Sequence, residues 1–200
     1  MSPLFAISRS RPGSAATAAT PAGWDPTTGA PAPELGLRTW AGPVTADLGG
    51  PDTDWRHAAF WWVGSHGGAG LSTLQTAVPG GADANRRWPD PAYGGPHMVV
   101  LVARGSGHGL RCLRAALRQH AGGDTPPGLY LVGAAVVADR PGRTPRHLDQ
   151  QIGMVAGTAP TLWRIPWITD LLDSPDPRSV VLPPALAALD RDLGCLRPAA

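Results

Sequence analysis

Residues 64 to 73, Gly-Ser-His-Gly-Gly-Ala-Gly-Leu-Ser-Thr, carry the clearest chemical meaning in the chain. An apolar run from Ala58 to Val63 stops at Gly64, and Ser72 and Thr73 open a helical-looking segment. A strand, a glycine-rich loop and a helix start, in that order, turn backbone N–H groups toward a space that suits phosphate oxygens. Gly64, Gly67, Gly68 and Gly70 let the backbone approach such an anion closely, with the small Ala69 between them. The same glycines would also serve a tight strand-to-helix turn with no ligand. His66 has three readings, a titrating general base, a contact to phosphate, or a tolerated loop residue.

Other chemistries fit less well. Gly105 to Gly109 fails as a nucleophile elbow around Ser106, because Arg104 and His108 stand where glycines would be needed. As a dinucleotide fingerprint it lacks the third glycine and a strand-end acid. The six histidines form no pair at metal-ligand spacing. Cys112 and Cys195 make neither a zinc motif nor a disulfide framework and read as reduced thiols. The 17 basic residues are all arginine, and the net charge of +2 gives no strong field for polyanions. No nucleic-acid motif is found, and Arg111, Arg114 and Arg118 read as a solvated helix face.

The loop HGGAGLST resembles the deviant Walker A loop of the ParA/MinD-type P-loop ATPases, whose pattern is K-G-G-x-G-K-T/S-T/S. Gly67, Gly68, Gly70, Ser72 and Thr73 match. His66 stands at the signature lysine, and Leu71 at the lysine that grips phosphate. With no lysine anywhere, the chain itself cannot supply a P-loop lysine from another position. Further along, Ala135 to Arg140 (AVVADR) and Arg164 to Trp167 (RIPW) resemble the family's base-reading strand end and its Ile-Pro-aromatic turn. The resemblance spans about residues 57 to 173. It implies a site for ATP or GTP with magnesium, Ser72 as a metal ligand, and Asp139 and Arg140 near the base. Asp139 replaces the usual amide and would favour guanine, unless it is only a solvated strand-end residue. The chain is also similar to an uncharacterised high-GC bacterial family with the same lysine-free loop.

Those residues need a scaffold. Continuous apolar runs at 58–63, 98–103, 129–138 and 161–165 predict four buried strands. Helical spacing at 71–78, 107–120, 145–156 and 184–196, with a short helix ending at Leu172, predicts segments between and after them. The alternation indicates a small doubly wound α/β domain, a mainly parallel sheet of about four or five strands with helices on both faces. Residues 79–97 read as irregular loop, which leaves Asp83 and Asp90 with no strand to aim them where the resembled ATPases carry a catalytic aspartate. Residues 1–54, rich in Pro, Ala, Gly and Thr, read as a disordered arm before a domain at 55–200. Leu35 to Leu48 is its densest part, either a docking segment or a linker. No run reaches the roughly 18 apolar residues of a membrane span, and Leu4 to Ile7 is too short for a signal core. These features predict a cytoplasmic protein.

The expectation is a degenerate P-loop protein that has lost hydrolysis and acts by binding, a nucleotide- or anion-dependent regulator or adaptor with a protein partner. Trp24, Trp40 and Trp55 would suit docking of that partner, and the resemblance implies dimerisation across the loop. Two alternatives stand beside it. One is a working ATPase or GTPase in which Arg104, or the Arg140, Arg143 and Arg146 group, replaces the lysine; the same arginines could be a solvated rim. The other is a structural adaptor with no ligand.

Overall fold

A strand that is apolar at every position must be covered on both faces, because successive side chains point to opposite sides of a sheet. The computed structural model, which describes residues 35–39, 55–174 and 179–197, shows that cover. Its elements are β1 (Arg38–Thr39), β2 (Phe60–Gly64), α1 (Leu71–Ala77), β3 (Gly81–Asp83), β4 (Arg87–Trp88), β5 (Met98–Arg104), α2 (Gly107–Gly122), β6 (Tyr130–Val137), α3 (Arg146–Ala156), β7 (Leu162–Ile165), α4 (Thr169–Asp173) and α5 (Pro184–Gly194). Five strands form one parallel sheet in the order β3-β2-β5-β6-β7, and β1 pairs with β4 in a separate two-stranded ribbon.

Alternation within the strands divides the core in two. Trp61 and Val63 of β2, Val99, Leu101 and Ala103 of β5, and Val136 of β6 pack with the leucines of α2 and with Leu148, Ile152 and Val155 of α3. Their neighbours Phe60, Trp62, Val100, Val102 and Ala135 face the other way, onto α1 and α5. The 3,4 spacing on α5 buries Leu186, Leu189 and Leu193 completely against this second face. Helix α2 starts where Ser106 accepts the Gly109 N–H (3.1 Å) and stops at Gly123, a left-handed C-cap with φ 79°.

The sheet corrects one expectation. Residues 81–83 are not irregular loop; they form β3, paired with β2 through Phe60–Gly81, Trp61–Ala82 and Trp62–Asp83. Asp83 therefore ends a strand beside the glycine loop. Asp90 instead caps a 3-10 turn, accepting the Ala92 N–H at 2.9 Å.

The docking segment behaves in part as a piece of the domain. Leu37 is buried in the first core cluster and β1 joins β4. Residues 1–34 and 40–54, with Trp24 and Trp40, lie outside the described residues. Trp55 is half-buried and stacks on Trp61 with centroids 6.3 Å apart, so it is a packing residue and not the exposed anchor the sequence suggested. Among the described residues, no helix is long and apolar enough to cross a membrane, and both cysteines are free.

Candidate functional site

Ligands of doubly wound sheets gather beyond the carboxyl ends of the strands, and that edge collects most of the chemistry here. Strand β2 ends at Gly64, and Ser65 ties the start of the loop to β5: its N–H and its hydroxyl both donate to the Val102 carbonyl, at 2.8 and 3.0 Å. The loop then turns out, with Gly68 and Gly70 at φ 74° and 89°, values that strongly favour glycine. Gly70 precedes α1 with no side-chain cap. Among the described residues, none accepts the backbone N–H groups of Gly67, Gly68, Gly70, Leu71, Ser72 or Thr73, while that of Ala69 closes a turn over Gly67 and Gly68. These donors border a cleft of about 320 Å³, which His66, Asp83, Asn85, Arg86 and Arg104 also line.

His66 is a structural strut in this arrangement. The Arg104 N–H, which can only donate, points at His66 Nε2 (3.0 Å), so the ring proton sits on Nδ1 and donates to the Gly67 carbonyl (2.7 Å). Burial lowers the His66 pKa, and the charges around His108, Arg104 and Arg86 lower it further against the opposing Gly67 bond. A neutral imidazole thus links the loop to the end of β5. Gly109 makes room for it: a Cβ there would overlap the Arg104 carbonyl and come within 2.7 Å of His66 Nε2.

Arg104 is likewise committed to the backbone. Its Nε donates to the Gly68 carbonyl (3.1 Å) and its Nη1 to the Ala138 carbonyl (2.9 Å), clasping the loop to the end of β6. The cation beside the start of the loop is Arg86. A Cβ built on Gly64 would be 3.6 Å from Arg86 Cγ, and one on Gly67 would be 3.6 Å from Arg86 Nη1. Asn85 and Arg86 hold φ of 48° and 57°, in a turn closed by the Arg87 N–H on the Ala84 carbonyl (3.1 Å). Adjacent left-handed residues that are not glycine are uncommon and strained. Asp83, half-buried, accepts the Asn85 N–H at 2.7 Å. Burial raises its pKa, with the Asn85 bond and the Arg86 charge pulling the other way.

Leu71, at the position of the P-loop lysine in the resembled pattern, is 8% exposed and belongs to the second core cluster. Ala69 is buried in the same cluster, while Ser72 is exposed at the cleft. Thr73 faces a narrow apolar slot with Gly70, Val137, Pro166 and Trp167, where Arg104 also reaches. Asp139 and Arg140 are not at the glycine loop. They lie exposed on a second cleft of about 420 Å³ with Arg143, Arg164 and Trp167, and pair with each other at 3.4 Å.

Ten of the predicted residues, Gly64, His66 to Thr73 and Arg104, thus share one cleft, which Asp139 and Arg140 do not line. Asp83 and Arg86 join it unforeseen. The one sequence signal for them was Asn85, a residue that tolerates the left-handed conformation of a tight turn.

The class that fold and site define is a doubly wound parallel α/β domain with a glycine-loop cleft at its carboxyl edge. No family model matches the chain, nor does any curated protein or solved structure.

Proposed function

We propose that this domain binds a polyphosphate anion, a nucleoside di- or triphosphate, in the cleft over residues 64–73, and that it acts as a ligand-dependent regulator or adaptor. The observation that carries this reading is the set of unaccepted N–H groups between Gly67 and Thr73, all but that of Ala69, with the Arg86 side chain beside Gly64 and Gly67 at the start of the loop. Backbone donors give only partial charges, and a guanidinium adds a full one in a geometry suited to phosphate. Arg104 shapes the loop and leaves the charge contact to Arg86. Ser72 and Asp83 present a hydroxyl and a carboxylate to the same cleft, hard oxygen donors that fit magnesium held chiefly by the phosphates. Among the described residues there is no group of three or more His, Cys, Asp or Glu that could hold a metal, so the ion would arrive with the nucleotide. Such an ion would neutralise phosphate charge.

Binding without turnover is the main reading, because the buried Leu71 cannot stabilise charge that grows on a transferring phosphoryl group. Asp83 favours a second reading. A strand-end carboxylate beside the loop, with its pKa raised by burial, could orient or deprotonate water in a slow NTPase that uses Arg86 in place of lysine. The second cleft, with Asp139 and Trp167, would take the base, and guanine is the base to test against adenine. A cytoplasmic setting and a protein partner complete the proposal.

The test is calorimetric titration with ATP, ADP, GTP, GDP and pyrophosphate, with and without magnesium. Dissociation constants of about micromolar, weakened by Arg86→Ala, support the reading. No heat up to millimolar nucleotide sinks it. Phosphate release that disappears with Asp83→Asn would move the protein to the second reading.

A further inference from the structure

A side chain, not a sheet, takes hold of the segment just ahead of β1. Gln119, in α2, accepts the Leu37 N–H on Oε1 (2.8 Å) and donates from Nε2 to the Leu37 carbonyl (2.9 Å), as a neighbouring strand would. The same Oε1 accepts from Trp88 Nε1 at 3.3 Å. One residue on, the chain becomes β1 and pairs with β4, Arg38 opposite Arg87 and Thr39 opposite Trp88. Leu37, Trp88 and Ala84 are buried in one cluster. A Cβ on Gly36 would lie 2.9 Å from Gln119 Nε2, so the strap runs at backbone contact distance from α2.

Strand β4, the partner of β1, begins where the Asn85–Arg86 turn ends. Two consecutive left-handed residues keep that conformation only when both ends of the turn are fixed. Upstream, β3 is fixed by β2; downstream, the strand partner of β4 is β1. The strap thus completes the frame that lays Arg86 along Gly64 and Gly67.

We propose that residues 35–39 are a regulatory strap: docked, they hold the 84–87 turn and keep Arg86 over the glycine loop; released, they let it swing away. The brace stands on the contacts above. Its consequence for anions rests on the reading under Proposed function. Strap docking and polyphosphate binding then strengthen each other, and linkage makes the effect reciprocal. A partner that captures the N-terminal arm would loosen the anion site, and bound anion would resist that capture.

The experiment uses the full-length protein, with Gln119→Ala and Leu37→Asp as independent variants. Backbone hydrogen exchange without ligand should be about tenfold faster over residues 84–88 in both variants, and unchanged over 99–103. Magnesium-ATP and pyrophosphate should each bind about tenfold more weakly to the variants, and saturating ATP should slow exchange at 36–39 in the wild type. Unchanged exchange at 84–88 in both variants overturns the strap. Strap-dependent exchange in a wild type that binds neither probe sustains the brace, and overturns the coupling together with the loop reading.

Discussion

Arg86 is the residue at which stability and binding should part company. Its backbone sits at φ 57°, where any residue with a Cβ is strained, while its side chain lies beside the start of the glycine loop. Arg86→Gly removes the charge and the strain together; Arg86→Ala removes the charge and keeps the strain. Relief of a left-handed residue gives about 1 kcal/mol or somewhat more, against roughly 0.5 to 1 kcal/mol lost to the greater freedom of glycine when unfolded. Arg86→Gly should therefore melt at or slightly above the wild-type temperature. Arg86→Ala should melt no higher than the glycine variant, up to about 2 °C lower for a net difference of about 0.5 kcal/mol. A charge-assisted contact to phosphate is worth about 1.5 to 3 kcal/mol, so both variants should lose on the order of 10- to 100-fold in nucleotide affinity. Thermal melting by circular dichroism and calorimetric titration on the same samples decide the matter. If glycine melts clearly below alanine, the turn is not left-handed in solution. If both variants bind as tightly as wild type, Arg86 is not the phosphate partner.

Asp83 titrates above its ordinary value, so its contribution to stability falls as pH rises through its folded pKa; Asp83→Asn should gain more against urea at pH 7 than at pH 4, because Asn Oδ1 still accepts the Asn85 N–H. A gain that is equal at both pH values would show that the carboxylate pays no penalty in the fold. The His66 pKa is lowered, so its contribution is intact above the ordinary value of 6.5 and is lost as pH falls through the folded pKa. His66→Ala should flatten that acid limb and cost about 1 to 3 kcal/mol at pH 8, where it strands the Arg104 N–H. Denaturant melts of both proteins from pH 5 to 8 test this, and parallel curves would refute it. Gly109→Ala should destabilise by about 3 kcal/mol, since its methyl overlaps the Arg104 carbonyl. Gly153→Ala, where a Cβ meets nothing within 4 Å on an exposed helix face, should stabilise by about 0.5 to 1 kcal/mol. Chemical denaturation of the pair gives both signs in one experiment.

The long elements were legible because their physics is local. Trp61 to Val63 and Met98 to Ala103 are apolar on both faces of a strand, and the leucines of α5 repeat at the helical period, so each pattern announces its partner layer. Strand β3 was not legible, and the reason is steric. A Cβ at Gly81 would run into the Phe60 ring and come within 2.6 Å of Trp62 Nε1, so the strand beside β2 is made of residues too small to give an apolar run. Reading 79–97 as loop followed from composition, and it hid Asp83 at the strand end.

Sequence alone settled the parallel α/β class, the spacing of the glycine loop, and the absence of any lysine to charge it. Tertiary structure decided what the charged and polar residues do with that loop. His66 and Arg104 lie 38 positions apart, and Leu37 and Gln119 lie 82 apart; hydrogen bonds across such distances leave no periodic trace in a chain. Arg104, at a strand end where the sequence invited a phosphate contact, spends its guanidinium on two backbone carbonyls. Arg86 reaches the loop instead, because a parallel edge strand and a strained turn carry it there.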